Sequence, residues 1–188
     1  MTLLHRAGNL YVRLRMSRRD LFTVDIGDAL RHGGRAVVFL PTNPEQIPDA
    51  LDILHRFARW FDPLSVVWIG TDEMPPDTFG SPVQVISVPN AINRWGLPYS
   101  PIVKRIERKN ADIAIDLNPT FFLPTAYLSV ISGAPLRIGF RGPREGFFNL
   151  EYSWDQNDER DLVDHYHRFA AMLTQIRSAK PYQSLMTP

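Results

Sequence analysis

The sequence predicts an α/β fold with a doubly wound, mostly parallel sheet. Two observations carry this prediction. Short apolar runs of strand length recur along the chain, and amphipathic helical segments alternate with most of them. The runs are apolar throughout instead of alternating, which is typical of strands buried on both faces. An alternation of strands and helices favours right-handed crossovers and parallel pairing, so the predicted domain is Rossmann-like.

The N-terminal half is predicted to open with helices. Residues 3–16 carry apolar side chains at helical spacing, and a second helix over 20–30 is ended by Gly33 and Gly34. The first strand, 36–40, is ended by a Pro-rich turn. A helix over 45–61 and strands over 64–69 and 83–88 follow, and the segment between these strands is too rich in Pro, Asp and Gly for a full helix.

The C-terminal half continues the alternation. A short helix with a basic face is predicted over 101–109, and a fourth strand over 112–117 leads through Asn118 and Pro119 into a helix over 120–132. The remaining elements are a fifth strand over 136–140, a weaker sixth over 148–154 near an edge, and an amphipathic helix over 158–178. We therefore expect a basic helical extension (1–34), one α/β domain (35–178) and a tail (179–188).

Composition excludes several classes of protein. The chain has 188 residues and no cysteine, which excludes disulfide scaffolds, thiolate metal sites and cysteine nucleophiles. The five histidines are dispersed, and no G-x-S-x-G elbow is present, so the sequence predicts neither a metal centre nor a serine hydrolase, and no cofactor. No apolar run approaches the ~20 residues that span a bilayer, and a cytoplasmic location is expected.

Charge is distributed unevenly along the chain. The net charge is +1, which argues against nucleic acid as a partner. Residues 1–19 nevertheless contain no acid, whereas the rest of the chain has 16 basic and 20 acidic residues. The N-terminal basic residues are Arg6, Arg13, Arg15, Arg18 and Arg19. This segment either caps the sheet or attaches the protein to a partner or to an anionic membrane surface.

Ligands of doubly wound sheets bind at the carboxyl ends of the strands. In the loop after the first strand, two prolines and the absence of glycine argue against a phosphate cradle. Thr42 or Asn43 is expected to cap the following helix, with Glu45 at its positive end. The alternative makes Thr42 and Asn43 ligand-binding residues and Glu45 a weak candidate for a catalytic base.

Two other strand ends carry candidate binding residues. Asp116 ends the fourth apolar strand, and a buried carboxylate needs hydrogen-bond partners. Asp116 and Asn118 therefore either form hydrogen bonds with polar groups of the neighbouring loops or line a polar ligand cleft. Arg141 and Arg144 follow the fifth strand in a glycine-rich loop that is either solvated or binds an anion.

The segment 110–140 resembles the heptosyltransferases of glycosyltransferase family 9. The resemblance is carried by an Ile-Asp-Leu strand end at Asp116, a Ser-Gly-Ala turn at 132–134 and an Arg-Ile-Gly-Phe strand at 137–140. It extends over about 35–178, and it implies the N-terminal, acceptor-side domain of a two-domain transferase fold. The family's first loop ends in Gly-Asp, whose aspartate resembles a general base, and here Glu45 stands in that region.

Two hypotheses about function follow from the resemblance, and a third from the charge pattern. The first is a stand-alone, catalytically incomplete domain that binds a protein partner, a second copy or a saccharide-like ligand. The second is half of a glycosyltransferase whose nucleotide-sugar domain comes from another chain, because we expect that domain to be absent from this one. The third is a peripheral membrane adaptor that uses the N-terminal arginines.

Overall fold

The computed structural model describes residues 24–70, 84–87, 92–93, 95–142, 146–154, 158 and 161–179. In this part of the chain six strands form one sheet, and every pair of neighbours is parallel. The strands are β1 (Ala36–Phe39), β2 (Leu64–Trp68), β3 (Gln84–Ser87), β4 (Ile113–Asp116), β5 (Leu136–Phe140) and β6 (Leu150–Tyr152). Their order, β3-β2-β1-β4-β5-β6, is that of a doubly wound Rossmann-like fold, so the predicted fold class is confirmed.

Five helices accompany the described strands. They are α1 (Ile26–His32), α2 (Ile47–Ala58), α3 (Ser100–Glu107), α4 (Leu123–Ile131) and α5 (Leu162–Ser178). A single 3-10 turn, Pro44–Gln46, leads into α2. The predicted N-terminal helix over 3–16 and residues 180–188 of the tail lie outside the described residues.

The helices cover both faces of the sheet. Buried residues of α1, α2 and α5 pack on one face, around Val38, Val66 and Ile115. Residues of α3 and α4 pack on the other, around Val37, Phe39 and Val67. All residues of β1, β2 and β4 are buried, which is why these segments read as continuous apolar runs in the sequence.

Helix α4 is unusual because every residue from Pro124 to Ile131 is buried. Its inner side meets the sheet, and Leu97 and Phe147 pack against the same helix from two loops. The first of these loops is closed by an antiparallel bridge between Ile92 and Pro98.

The strand predictions are confirmed to within two residues at every end, whereas several helices begin later than the sequence predicts. Helix α1 starts at Ile26, where the Asp25 side chain accepts a hydrogen bond from the Asp28 amide at 2.8 Å and caps the helix; the predicted start at residue 20 lies outside the described residues. Helix α4 starts at Leu123 instead of residue 120, which places Pro124 in its first turn, where a missing N–H costs nothing. The helix predicted from 158 begins at Leu162.

Candidate functional site

Asn118 joins the loops that follow β1 and β4. Its side-chain oxygen accepts a hydrogen bond from the Thr42 amide at 2.9 Å, and its Nδ2 donates to the Leu40 carbonyl at 3.2 Å. The two loops meet because β1 and β4 are neighbours in the sheet. This is also the point where the strand order reverses direction along the chain, the usual location of ligand sites in such folds.

Asp116 lies beneath this junction and is 2% exposed. It accepts hydrogen bonds from the Asn118 amide at 3.0 Å, the Asn118 Nδ2 at 2.6 Å and the Thr125 hydroxyl at 2.7 Å. Burial raises the pKa of Asp116 to about 6, although these hydrogen bonds oppose the shift. Asp116 and Asn118 thus hold the two loops together within the protein, and their contact with a ligand stays a prediction.

Tyr166 of α5 supports the same strand end from the other helix layer. Its hydroxyl donates a hydrogen bond to the Leu117 carbonyl at 2.6 Å, and the side chain is 1% exposed. Burial, together with the negative charges of Asp116 and Asp49, raises the pKa of the Tyr166 phenol, so it stays a hydrogen-bond donor.

The loop after β1 has the geometry of a helix start. Asn43 is the N-cap of the 3-10 turn, and its side chain accepts a hydrogen bond from the Glu45 amide at 3.1 Å. Asn43 and Glu45 are both exposed. Among the two residues expected to cap, Asn43 therefore caps with its side chain, while the Thr42 backbone binds Asn118.

An open cleft of about 740 Å³ lies at the carboxyl edge of the sheet, beside this junction. Its walls come from the segments that follow β4 and β5 and from the end of β6. The lining residues are Pro119, Thr120, Phe121, Arg141, Gly142, Tyr152, Ser153 and Trp154. Arg141 is the one positively charged residue among these lining residues, and its side chain is exposed.

The structure brings only part of the predicted site to this cleft. Arg141 lines it, Asp116 and Asn118 are buried and are not among its lining residues, and Arg144 lies outside the described residues. Sequence reasoning missed Tyr152 and Trp154. The predicted strand over 148–154 could have indicated both residues, because residues two apart on a strand point to the same face. The prediction used this segment only as a weak strand near an edge.

The aromatic wall of the cleft is supported from behind. Trp154 stacks on the ring of His165 at a centroid distance of 4.5 Å and meets Phe140 edge-on at 5.2 Å. His165 is 3% exposed. Aromatic rings held from behind and one exposed guanidinium group suit a ligand with a flat apolar surface and an anionic substituent.

Within the described residues, no three His, Asp or Glu side chains lie close enough to hold a metal ion. No described helix is both long enough and apolar enough to cross a membrane.

No protein-family model matches the sequence, and no match was found among curated proteins. Two solved structures have a similar fold. The ADP-heptose lipopolysaccharide heptosyltransferase II of Escherichia coli is 18% identical with a TM-score of 0.51, over 72% of this chain and 40% of that one. A family 9 glycosyltransferase of Veillonella parvula is 15% identical with a TM-score of 0.51, over 81% of this chain and 43% of that one. The chain thus has a glycosyltransferase-like fold and spans less than half the length of either transferase.

Proposed function

We propose that this domain binds a saccharide-like ligand in the cleft beside β6, and that it does so without transferring a sugar by itself. The observation that carries the proposal is the cleft's combination of an aromatic wall with the exposed guanidinium of Arg141. A sugar ring has an apolar face that an aromatic ring can cover, and Arg141 would bind a phosphate or carboxylate on the same ligand.

Binding without catalysis is supported by the loop after β1. A general base must reach the hydroxyl that it deprotonates. The candidate base, Glu45, is exposed at the start of the 3-10 turn, and it is not among the residues that line the cleft. The similarity to two transferases supports the saccharide class of ligand, and it concerns their fold over less than half their length.

The test is ligand-observed NMR on the purified chain with glucose, glucose 6-phosphate and glucuronate as probes. We expect weak binding, with the two anionic probes preferred. Arg141→Gln should weaken the binding of glucose 6-phosphate about tenfold or more, since a hydrogen bond to a charged group is worth about 1.5–3 kcal/mol. The same substitution should leave glucose binding unchanged.

Arg168→Gln is the matched control, because Arg168 is equally an exposed arginine but lies on α5 and does not line the cleft. The proposal is wrong if no probe binds, or if Arg141→Gln and Arg168→Gln bind glucose 6-phosphate equally well. Sugar transfer from an ADP- or UDP-linked donor by the pure chain would instead establish the enzyme hypothesis. Loss of that transfer in Glu45→Gln would then identify the base.

A further inference from the structure

Helix α3 presents a row of cations to solvent. Lys104, Arg105 and Arg108 are exposed, whereas Ile102 and Ile106 of the same helix are buried against the sheet. Positions 104, 105 and 108 fall within about one-quarter of the helix circumference at 100° per residue. We call these three residues the basic strip.

The charges of the basic strip are not neutralised within the described part of the chain. The ion pairs of Asp28 with Arg31 and His32, and of Asp112 with Arg35, include no residue of the strip. Burial, together with the positive charge of the neighbouring Arg105, lowers the pKa of the Lys109 amine. Lys104, Arg105 and Arg108 are therefore exposed cations without a described acidic partner, and they can bind an external anion.

We propose that the basic strip is a docking surface for an anionic lipid membrane. A strip on the convex side of a helix fits a flat surface with a high density of negative charge. Each cation that lies near such a surface raises the binding affinity about fivefold. The inference is independent of the saccharide cleft, because none of the three residues lines it.

Two other kinds of partner fit the strip less well. A protein interface needs an apolar centre, but Tyr99 is the only large hydrophobic residue among the described ones that is exposed. A single-stranded nucleic acid needs a groove with several stacking platforms. Tyr99, the N-cap of α3, is the one exposed large aromatic residue among the described ones, so the strip lacks such a row of platforms.

The mode of attachment follows from the burial of α3. Since its apolar side chains are already packed on the sheet, the helix has no hydrophobic face to insert into lipid. Binding is therefore adsorption by charge, and salt should reverse it completely.

The test is sedimentation of the purified full chain with vesicles of phosphatidylcholine that contain about one-third phosphatidylglycerol. We expect binding at about 0.05 M salt, release at about 0.5 M salt, and no binding to pure phosphatidylcholine vesicles. The triple variant K104Q/R105Q/R108Q should bind on the order of 100-fold more weakly.

The matched control is R56Q/R59Q/R168Q, which removes the same charge from α2, its C-cap and α5 on the other face of the sheet. It should bind within about threefold of the parent chain, because its arginines lie away from the surface that docks. Thermal unfolding of both variants checks that each is folded.

Three outcomes would overturn the proposal. They are failure of the parent chain to bind anionic vesicles at low salt, binding of K104Q/R105Q/R108Q no weaker than that of the control variant (with an equal loss in both or with none), and tighter binding to single-stranded oligonucleotides than to vesicles. An equal loss would assign the effect to net charge rather than to the strip.

Discussion

At the scale of single residues, Asp116 shows what can and cannot be deduced from sequence. A carboxylate at the end of an apolar strand indicates a buried acid that needs donors, and the structure supplies them. The Thr125 hydroxyl was not predictable, because it reaches Asp116 only when the start of α4 folds over the strand end. The sequence therefore predicts that Asp116 needs hydrogen-bond donors, but it does not identify Thr125 as one of them.

The raised pKa of Asp116 predicts a particular pH dependence of stability. Between the ordinary value of 3.8 and about 6, the native state keeps a proton that the unfolded chain has lost. This stabilisation is fully present below pH 3.8 and is lost as the pH rises through about 6. Asp116→Asn resembles the protonated form, so from pH 4 to pH 7 its stability should rise relative to the parent chain by on the order of 3 kcal/mol.

Urea unfolding across this pH range measures the effect, and Asp112→Asn provides a control of opposite sign. The guanidinium of Arg35, 3.1 Å from Asp112, lowers the pKa of that carboxyl. The stability of the parent chain relative to Asp112→Asn should therefore increase as the pH rises through 4. A pH-independent difference between the parent and Asp116→Asn would show that the buried acid does not titrate in this range.

Gly139 in β5 permits a close approach that a larger residue would prevent. A Cβ at this position would lie 2.7 Å from the ring of Phe148. Gly139→Ala should therefore displace the ring and cost about 1–3 kcal/mol of unfolding free energy. Gly34→Ala is the control, since its Cβ would meet nothing nearer than 3.8 Å, and it should leave stability unchanged or slightly higher. Equal thermal midpoints for the two variants would contradict this account.

At the scale of secondary-structure elements, burial explains why the positions of the central strands are predicted well. The central strands were located accurately because both faces are covered, which requires a continuous apolar run. The start of α1 is fixed by the side-chain cap of Asp25, whereas the predicted start rested on the periodicity of apolar residues, which does not locate a cap.

Helix α1 is attached to the end of α5 by two arginines. Arg177 donates from Nε to the Leu30 carbonyl at 3.0 Å while its guanidinium lies 5.1 Å from the centre of the Trp60 ring. Arg31 donates to the Ala179 carbonyl at 2.7 Å. These bonds satisfy two carbonyls near helix ends that lack partners within their own helices.

Removing both guanidinium groups should loosen α1 selectively. We expect the variant R31Q/R177Q to show faster amide hydrogen exchange over 26–32, with exchange in β1 and β4 unchanged, because the sheet does not depend on these contacts. Mass spectrometry of peptides measures this. A uniform acceleration over the whole chain would mean that α1 unfolds only together with the sheet.

At the scale of the whole molecule, the sequence predicted parallel pairing but did not specify the strand order. The alternation of strands and helices restricts the handedness of each crossover, yet several orders satisfy it. The observed order puts β4, β5 and β6 on one side of the reversal point, and the cleft lies at their carboxyl ends. Its location could not be deduced without knowing that β6 pairs with β5.

The complete burial of α4 has a consequence for altering the chain. Loops that lie on a surface normally accept added residues, tags or new sequence. Here Leu97 and Phe147, which come from two loops, are part of the hydrophobic interior, because they cover a helix that is buried from Pro124 to Ile131. Peptide insertion beside either residue should therefore reduce the yield of folded protein.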